Sequence, residues 1–297
     1  MRVFLQESNN LGINFVRLKC RIPESASQSG RIVLRKHDVY RVGYADDITL
    51  AFEDHENLEK GTILLNNNFE KYHLKLNLTK TKTMILNYQY LADDYPDDLL
   101  KLNGTVIKNV KIFEYLGCRI EYNQPSTGEK ELQSQIDTAQ WKFYEYGKNL
   151  MNFRIALTTR VKIMNALVRS CLTHACQTWC LTKRQQNHLN AIYMSMLRKM
   201  VPGGYRRKPE TYKFILTNVE ILHKCSTENL IQFINRLQRN YTAHVIRGED
   251  TRIPKPLLFN DDKRRKTGHQ ITLYNSVVAN ENITPDVFNK NSLLRKY

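Results

Sequence analysis

The sequence predicts an α+β protein: a first part built of antiparallel hairpins and one helix, a second part built of helices, and an irregular polar tail. Three observations predict it. Short apolar runs broken by turn residues fill residues 31–120, apolar residues recur at helical spacing from about 130 to 201, and Pro, Gly and charged residues punctuate the remainder. With 297 residues, 41% of them hydrophobic, the chain has the means to bury one large core or two modest ones.

Taken in order, residues 1–30 are read as irregular and end in the Ser-rich SASQSG. RIVLRKHDVYRVGYADDITLAF, 31–52, reads as two or three strands with a tight turn at Tyr44 to Asp47. A helix follows over 56–74, with Leu58, Leu65, Phe69 and Tyr72 near one face and Gly61 weakening it. KTKTMILNY, 80–88, reads as a strand, LADDYPDDL as a solvated acidic loop, and Asn103-Gly104 between apolar residues as a hairpin turn.

The helical part places Leu157, Val161, Met164 and Val168 on one buried face and Leu189, Ile192, Tyr193, Met196, Leu197 and Met200 on another. Methionines in such a stripe are core filler. Lys162 and Arg169, seven residues apart, fall on an exposed basic face that is either solvated or laid along a phosphate backbone. VPGGYRRKPE, 201–210, ends the helical run, and one further helix is read in CSTENLIQFINRLQRNYTAHVI before the tail.

Charge separates the two parts. Residues 1–138 hold 18 Lys and Arg against 19 Asp and Glu, whereas 139–297 hold 27 against 10, so the two parts carry −1 and +17 of the net +16. That one-sidedness is the footprint of a polyanion binder. KRRK at 263–266 is a short basic cluster, a nuclear address or a phosphate contact. No run of eighteen apolar residues occurs and MRVFLQESNN is too polar for a secretory core, so no membrane partner is expected. The six scattered cysteines read as free thiols of a reducing intracellular compartment, nucleus or cytoplasm undecided. Cys171, His174, Cys176 and Cys180 would point to about 0°, 300°, 140° and 180° on a helix, which cannot converge on one zinc ion.

Adjacent acids at a hairpin tip need a reason. Asp46 and Asp47 raise each other's proton affinity unless a divalent cation turns repulsion into ligation; the other reading is an ordinary solvated turn. YADD at 44–47 resembles the active-site hairpin of reverse transcriptases, LKLNLTKTKTMI at 74–85 the helix end and strand that follow it, and FEYLG at 113–117 the primer-grip hairpin. ALVRSCLTHACQTWCLTKRQQNHLNAIYMSMLRKMV, 166–201, is similar to the thumb region of polymerases from non-LTR (LINE-like) retrotransposons, and the four blocks occur in the family's order.

The resemblance implies a partial polymerase palm over 1–120, a helical thumb-like region over 121–205 and a basic C-terminal extension over 206–297. It implies RNA-directed DNA polymerisation with Mg²⁺ or Mn²⁺ as cofactor. RNA template, DNA primer or their hybrid, and deoxynucleoside triphosphates are the implied partners, together with an N-terminal part of the element's polyprotein. Asp46 and Asp47 are the implied catalytic metal ligands, and Tyr44 and Ala45 shape the turn beside the primer terminus. Lys80 or Lys82 approaches the nucleotide's triphosphate, while Tyr115, Leu116 and Gly117 brace the primer strand; Lys162 and Arg169 contact nucleic acid. In this family another metal-binding aspartate precedes YADD on its own palm strand, and a Gly- and Gln-containing segment lies between. Residues 1–45 offer only Asp38, eight residues away, so polymerisation by this chain alone is not expected. The alternative is a non-catalytic nucleic-acid-binding protein that uses the basic helical part.

Overall fold

Antiparallel hairpins, each a two-stranded sheet of its own, make up most of the first of two units in the computed structural model. Residues 7–8, 10–23, 32–39, 41–44, 47–86, 96–122, 128–249, 252, 254–258, 273–282 and 285–293 are described. The first unit is Met1–Gln124 with Gly248–Lys266, the second Pro125–Arg247 with Thr267–Tyr297. Among the described residues no helix is long and apolar enough to cross a membrane.

Strand β1 (Val16–Pro23) pairs with β2 (Ile32–Val39), Val16 opposite Val39. It lies where the sequence was read as irregular. The signal was present, since Val16, Leu18, Cys20 and Ile22 alternate with Arg17, Lys19 and Arg21, the period of a strand. β3 (Arg41–Tyr44) pairs with β4 (Asp47–Leu50), β5 (Asp98–Leu102) with β6 (Thr105–Lys108), and β7 (Ile112–Tyr115) with β8 (Cys118–Glu121).

Helix α1 (His55–Lys71) follows β4 closely. Asp54 caps it, accepting from the Asn57 amide at 2.8 Å, which satisfies one of the donors left over at a helix start. Its Leu65 is buried with Ile13 and Phe15 and packed by Leu50, Phe52 and Phe69; Leu58 lies against the core of Leu100, Leu102 and Ile107 on β5–β6. Tyr72, placed on the apolar face by sequence, lies past the helix end and is exposed.

Gly61 is a requirement of this packing, not a weak point. A Cβ there would lie 2.4 Å from Phe52 Cε1 and 2.5 Å from Cζ. Phe52 in turn stacks on Phe15, centroids 5.2 Å apart, beside a bridge between the two backbones.

The strand expected over 80–88 does not form in its described part. Asn77 O accepts from the amides of Lys80 and Thr81, and Asn77 Oδ1 from Thr79 Oγ1 and Lys80 N, so a turn replaces the ladder. Only Thr83 bridges, in parallel to Asn109.

In the second unit α2 (Glu129–Glu145) and a single turn, Gly147–Leu150, precede α3 (Leu157–Ile163). α3 passes without a break into a π-helical stretch, Met164–Arg169, and a last turn, Ser170–Leu172. α4 (Lys183–Met200) and α5 (Asn218–Lys224) each open on a capping box, Thr182 with Gln185 and Thr217 with Glu220. α6 (Leu230–Arg247) completes the bundle. The α4 stripe is buried as read, with Leu189, Tyr193, Leu197 and Met200 fully enclosed.

Where an irregular tail was expected, α7 (Leu273–Asn280) and α8 (Pro285–Leu293) form, and both pack on α6. A further short helix, Pro254–Leu258, lies against β1 of the first unit. These helices are too short to show a persuasive period. Tertiary contacts hold them instead: Tyr274 is edge-on to Phe288 and donates to Asn289 Oδ1 at 3.0 Å.

Helix ends in this unit are satisfied from within. Arg160, 3% exposed, donates to the carbonyls of Ile155, Leu150 and Met200 at 3.0, 3.1 and 2.6 Å. Gln238 on α6 donates to Cys176 O and Trp179 O at 2.9 and 2.7 Å, holding the segment where the chain leaves helical geometry after Leu172.

Two predictions follow from the packing. Gly61→Ala is expected to destabilise the first unit by about 1–3 kcal/mol through overpacking, against a helix-propensity gain of about 1 kcal/mol. With Phe52→Leu added, the Ala should become neutral or better; hydrogen exchange of α1 amides measures both. In the second unit, burial pushes the Cys176 thiol up to about 12 and Cys225 up to about 11, from 9.0. Both folded values are raised, so the stability they contribute is whole below about pH 9 and is lost as pH rises toward 11 to 12. Thermal melting should therefore fall from pH 9 upward, and more shallowly in a Cys176→Ala, Cys225→Ala variant.

Candidate active site

β3 and β4 pair up to Tyr44 opposite Asp47. Ala45 and Asp46, which stand between them in sequence and on which the tight turn expected at Tyr44 to Asp47 centres, lie outside the described residues, as do Asp93, Asp94 and KRRK 263–266.

Cross-strand partners share a face, so Tyr44 and Asp47 project together, and Gly43, Ile48 and Leu50 lie together on the other side. Leu50 packs on the core of Ile13, Phe15 and Leu65. Asp47 is three residues from it, an odd spacing that puts it on the opposite face, and is exposed; Tyr44 is 67% exposed. Five residues beyond Asp47 comes Phe52, stacked on Phe15, and then the capped start of α1. The tip is therefore anchored close to its base, and its acid faces solvent.

The lysines assigned by resemblance are not joined to it by any hydrogen bond or ion pair among the described residues. Lys82 Nζ donates to Thr79 O at 2.9 Å, within its own turn, and Lys80 is exposed beside it.

The β7–β8 turn is more informative. Tyr115 pairs with Cys118, and Leu116 and Gly117 between them have φ of 51° and 77°. Asn103 and Gly104 at the β5–β6 turn have nearly the same values, 50° and 77°. Both are two-residue turns with left-handed backbone at each position. Asn accepts that conformation readily, whereas an ordinary side chain there costs about 1–2 kcal/mol. Leu116 bears this strain while 44% exposed, so the energy is not recovered by burial. Tyr115 Oη beside it is buried, without a hydrogen-bond partner among the described residues.

In the second unit Lys162 is exposed, but Arg169 is not free on the same face. Its guanidinium lies 4.1 Å from the Phe233 ring centroid on α6. The π-helical turn between them explains the difference: its wider i→i+5 spacing rotates Arg169 away from the face that straight α-helical spacing gives.

Cation chemistry was tested on the donor set. Asp47 is a hard oxygen donor of the kind Mg²⁺ or Mn²⁺ takes, yet such ions need about six ligands. No group of three or more His, Cys, Asp or Glu comes together among the described residues. These residues alone do not compose a site for the ion. The Cys171 to Cys180 set does not either, although the helix does unwind there. Ala175 takes φ 55°, Cys176 is buried, and Cys171 Sγ donates to Leu167 O.

Sequence reasoning missed the strain at Leu116, whose only signal was a bulky residue at the first position of an X-Gly turn. If that strain is local, Leu116→Asn should stabilise the β7–β8 hairpin by about 1 kcal/mol. Slower hydrogen exchange across 112–121 would register it, and unchanged or faster exchange would show that Leu116 is held by contacts that Asn loses.

Residues 22–120, one third of the chain, match the family described as Reverse transcriptase (RNA-dependent DNA polymerase). No curated protein and no solved structure matches significantly. The acidic hairpin, α1 and the two Gly-containing turns all fall inside the matched segment, which is similar to the reverse transcriptase domain.

Proposed function

We propose that the first unit is the part of an RNA-directed DNA polymerase palm that presents an acidic turn to a primer end, from a reverse transcriptase of the non-LTR retrotransposon type. The observation that supports this reading is the β3–β4 register, which pairs Tyr44 with an exposed Asp47 at the closing end of a hairpin inside the matched segment. Asp46 and Asp47 are the carboxylates that would hold Mg²⁺ or Mn²⁺. Such an ion, when bound, favours the deprotonated primer hydroxyl and offsets phosphate charge. Tyr44 and Ala45 border the primer terminus, Lys80 or Lys82 meets the triphosphate, and Tyr115, Leu116 and Gly117 support the primer strand. An exposed apolar side chain held in a strained turn is what a contact with a nucleic-acid partner would explain.

In this reading residues 121–205 serve as a thumb-like region and 206–297 as a basic extension. RNA template and DNA primer are the partners and deoxynucleoside triphosphates the substrates. The family's upstream aspartate has no counterpart in residues 1–45, so turnover waits on a carboxylate supplied from elsewhere. A second reading, nucleic-acid binding without catalysis by the basic second part, is favoured by the 27 basic against 10 acidic residues of 139–297.

Primer extension tests the first reading. On an RNA template with a DNA primer and Mg²⁺, the chain alone is expected to add no nucleotides. Supplying the fingers and upstream palm of a related polymerase should restore extension, and Asp46→Asn should abolish it again. Undiminished extension in that variant would defeat the assignment.

A further inference from the structure

The loop that ends α4 is built, not merely a break in the helix. Gly204 N donates to Val201 O at 2.9 Å, and a Cβ on Gly204 would lie 2.4 Å from Arg198 O, so the loop backbone is pressed against the helix end. Buried Arg198 donates to Gly204 O and Leu216 O, both at 2.9 Å, and to Asn218 Oδ1 at 2.6 Å. The Tyr205 hydroxyl is fixed by Ser195, at 2.5 Å from Oγ and 3.1 Å from the carbonyl, and its ring is edge-on to Phe214.

This loop walls an open cleft of about 420 Å³, whose rim carries Phe153, Lys199, Tyr205 and Arg206. Phe153 is 60% exposed although one side of its ring is covered by the Arg160 guanidinium, 5.1 Å from the centroid. An apolar ring held so firmly and left so open has a face available for stacking. Arg206 runs its aliphatic stem over Gly203, and its guanidinium has no hydrogen bond or ion pair among the described residues. Lys199 is exposed on the same rim, its Nζ 5.7 Å from the Phe143 ring centroid and without a hydrogen bond or ion pair among the described residues. Residues 198–214 hold six Lys and Arg and a single acid, Glu210.

Aromatic faces beside exposed cations are the two elements that bind an unstacked nucleotide: the ring takes the base and the cations take the phosphate. A duplex keeps its bases stacked inside and has no free face to offer. The cleft also lies within the size range of nucleotide-sized ligands. We propose that it binds single-stranded nucleic acid, with a base on Phe153 beside Tyr205 and a phosphate between Lys199 and Arg206. This deepens the binding reading, on which it rests, and does not depend on metal chemistry at the hairpin.

Fluorescence anisotropy with the full chain and labelled oligo(dT) or oligo(U) of about 20 nucleotides tests it, with a hairpin duplex as competitor. Phe153→Leu, which keeps apolar bulk beneath Arg160, and Arg206→Ala are each expected to weaken binding about ten-fold. Arg206→Ala should also flatten the slope of log affinity against log salt by about 0.7. Arg206→Lys should recover most of that loss, and Arg184→Ala, an equal charge change at the far end of α4, should alter affinity less than two-fold. A preference for dT or for U would name the strand. Binding by the wild type that both cleft variants share unchanged, or stronger binding of the duplex, would overturn the cleft while leaving the general binding reading intact. No binding of any oligonucleotide by the wild type would overturn both. Should Phe153→Leu misfold, the exposed Arg206 pair carries the test alone.

Discussion

The first unit turns on the contact between the Phe52 ring and the bare α-carbon of Gly61. Phe52 lies two residues past the end of β4, and Gly61 lies in the second turn of α1, so this contact ties the base of the hairpin to the helix. Any side chain at 61 would push the ring outward, and with it the stack on Phe15. Leu50, Leu65 and Phe69 fill the same core. Because strand faces alternate, burying Leu50 leaves Asp47 on the outer face. The position of the carboxylate is thus a consequence of apolar packing several residues away.

A different constraint governs the second unit. Its helices end inside the protein, where an unpaired carbonyl is costly. Arg160, Arg198 and Gln238 supply the donors, each reaching two or more carbonyl or amide oxygens across different elements. Two of these three are formally charged, and the carbonyl dipoles take the place of a counter-ion. Part of the basic charge that marks this half is therefore structural. Arg169 and Arg236, both against the Phe233 ring, belong to the same category, since Arg236 is also paired with Glu228. The cations left for a polyanion are those without such duties, which shifts attention from α3 to the rim of the α4 loop.

The two units thus carry separable chemistry. Acid and the two-residue hairpin turns lie in the first, within the segment similar to reverse transcriptases. Cations and exposed aromatic rings concentrate in the second. The comparison of Asn103 with Leu116 shows how a functional demand is read physically: identical backbone geometry, one residue suited to it and one not. Left-handed backbone suits asparagine and strains leucine, so the two turns differ in cost though not in shape.

Much of this was legible from residues alone. Asn103-Gly104 specified its turn because few other pairs fit two left-handed positions, the tight turn at Tyr44 to Asp47 followed from short apolar runs on either side, and the α4 stripe followed from its 3.6-residue period. Local chemistry determined these. Other features depended on partners distant in the chain. Gly61 read as a helix weakness because Phe52 was not known to occupy its side; Arg169 read as exposed because a π-turn cannot be seen in a side-chain pattern. The 80–88 segment had strand propensity, but Asn77 captured its first amides. The short tail helices had no period long enough to detect. Sequence by itself determined the hairpins, the helical half and the location of charge, because turn geometry and periodicity act within a few residues. Only the tertiary structure decided which cations are free and which face the acid takes, because those depend on what burial brings alongside.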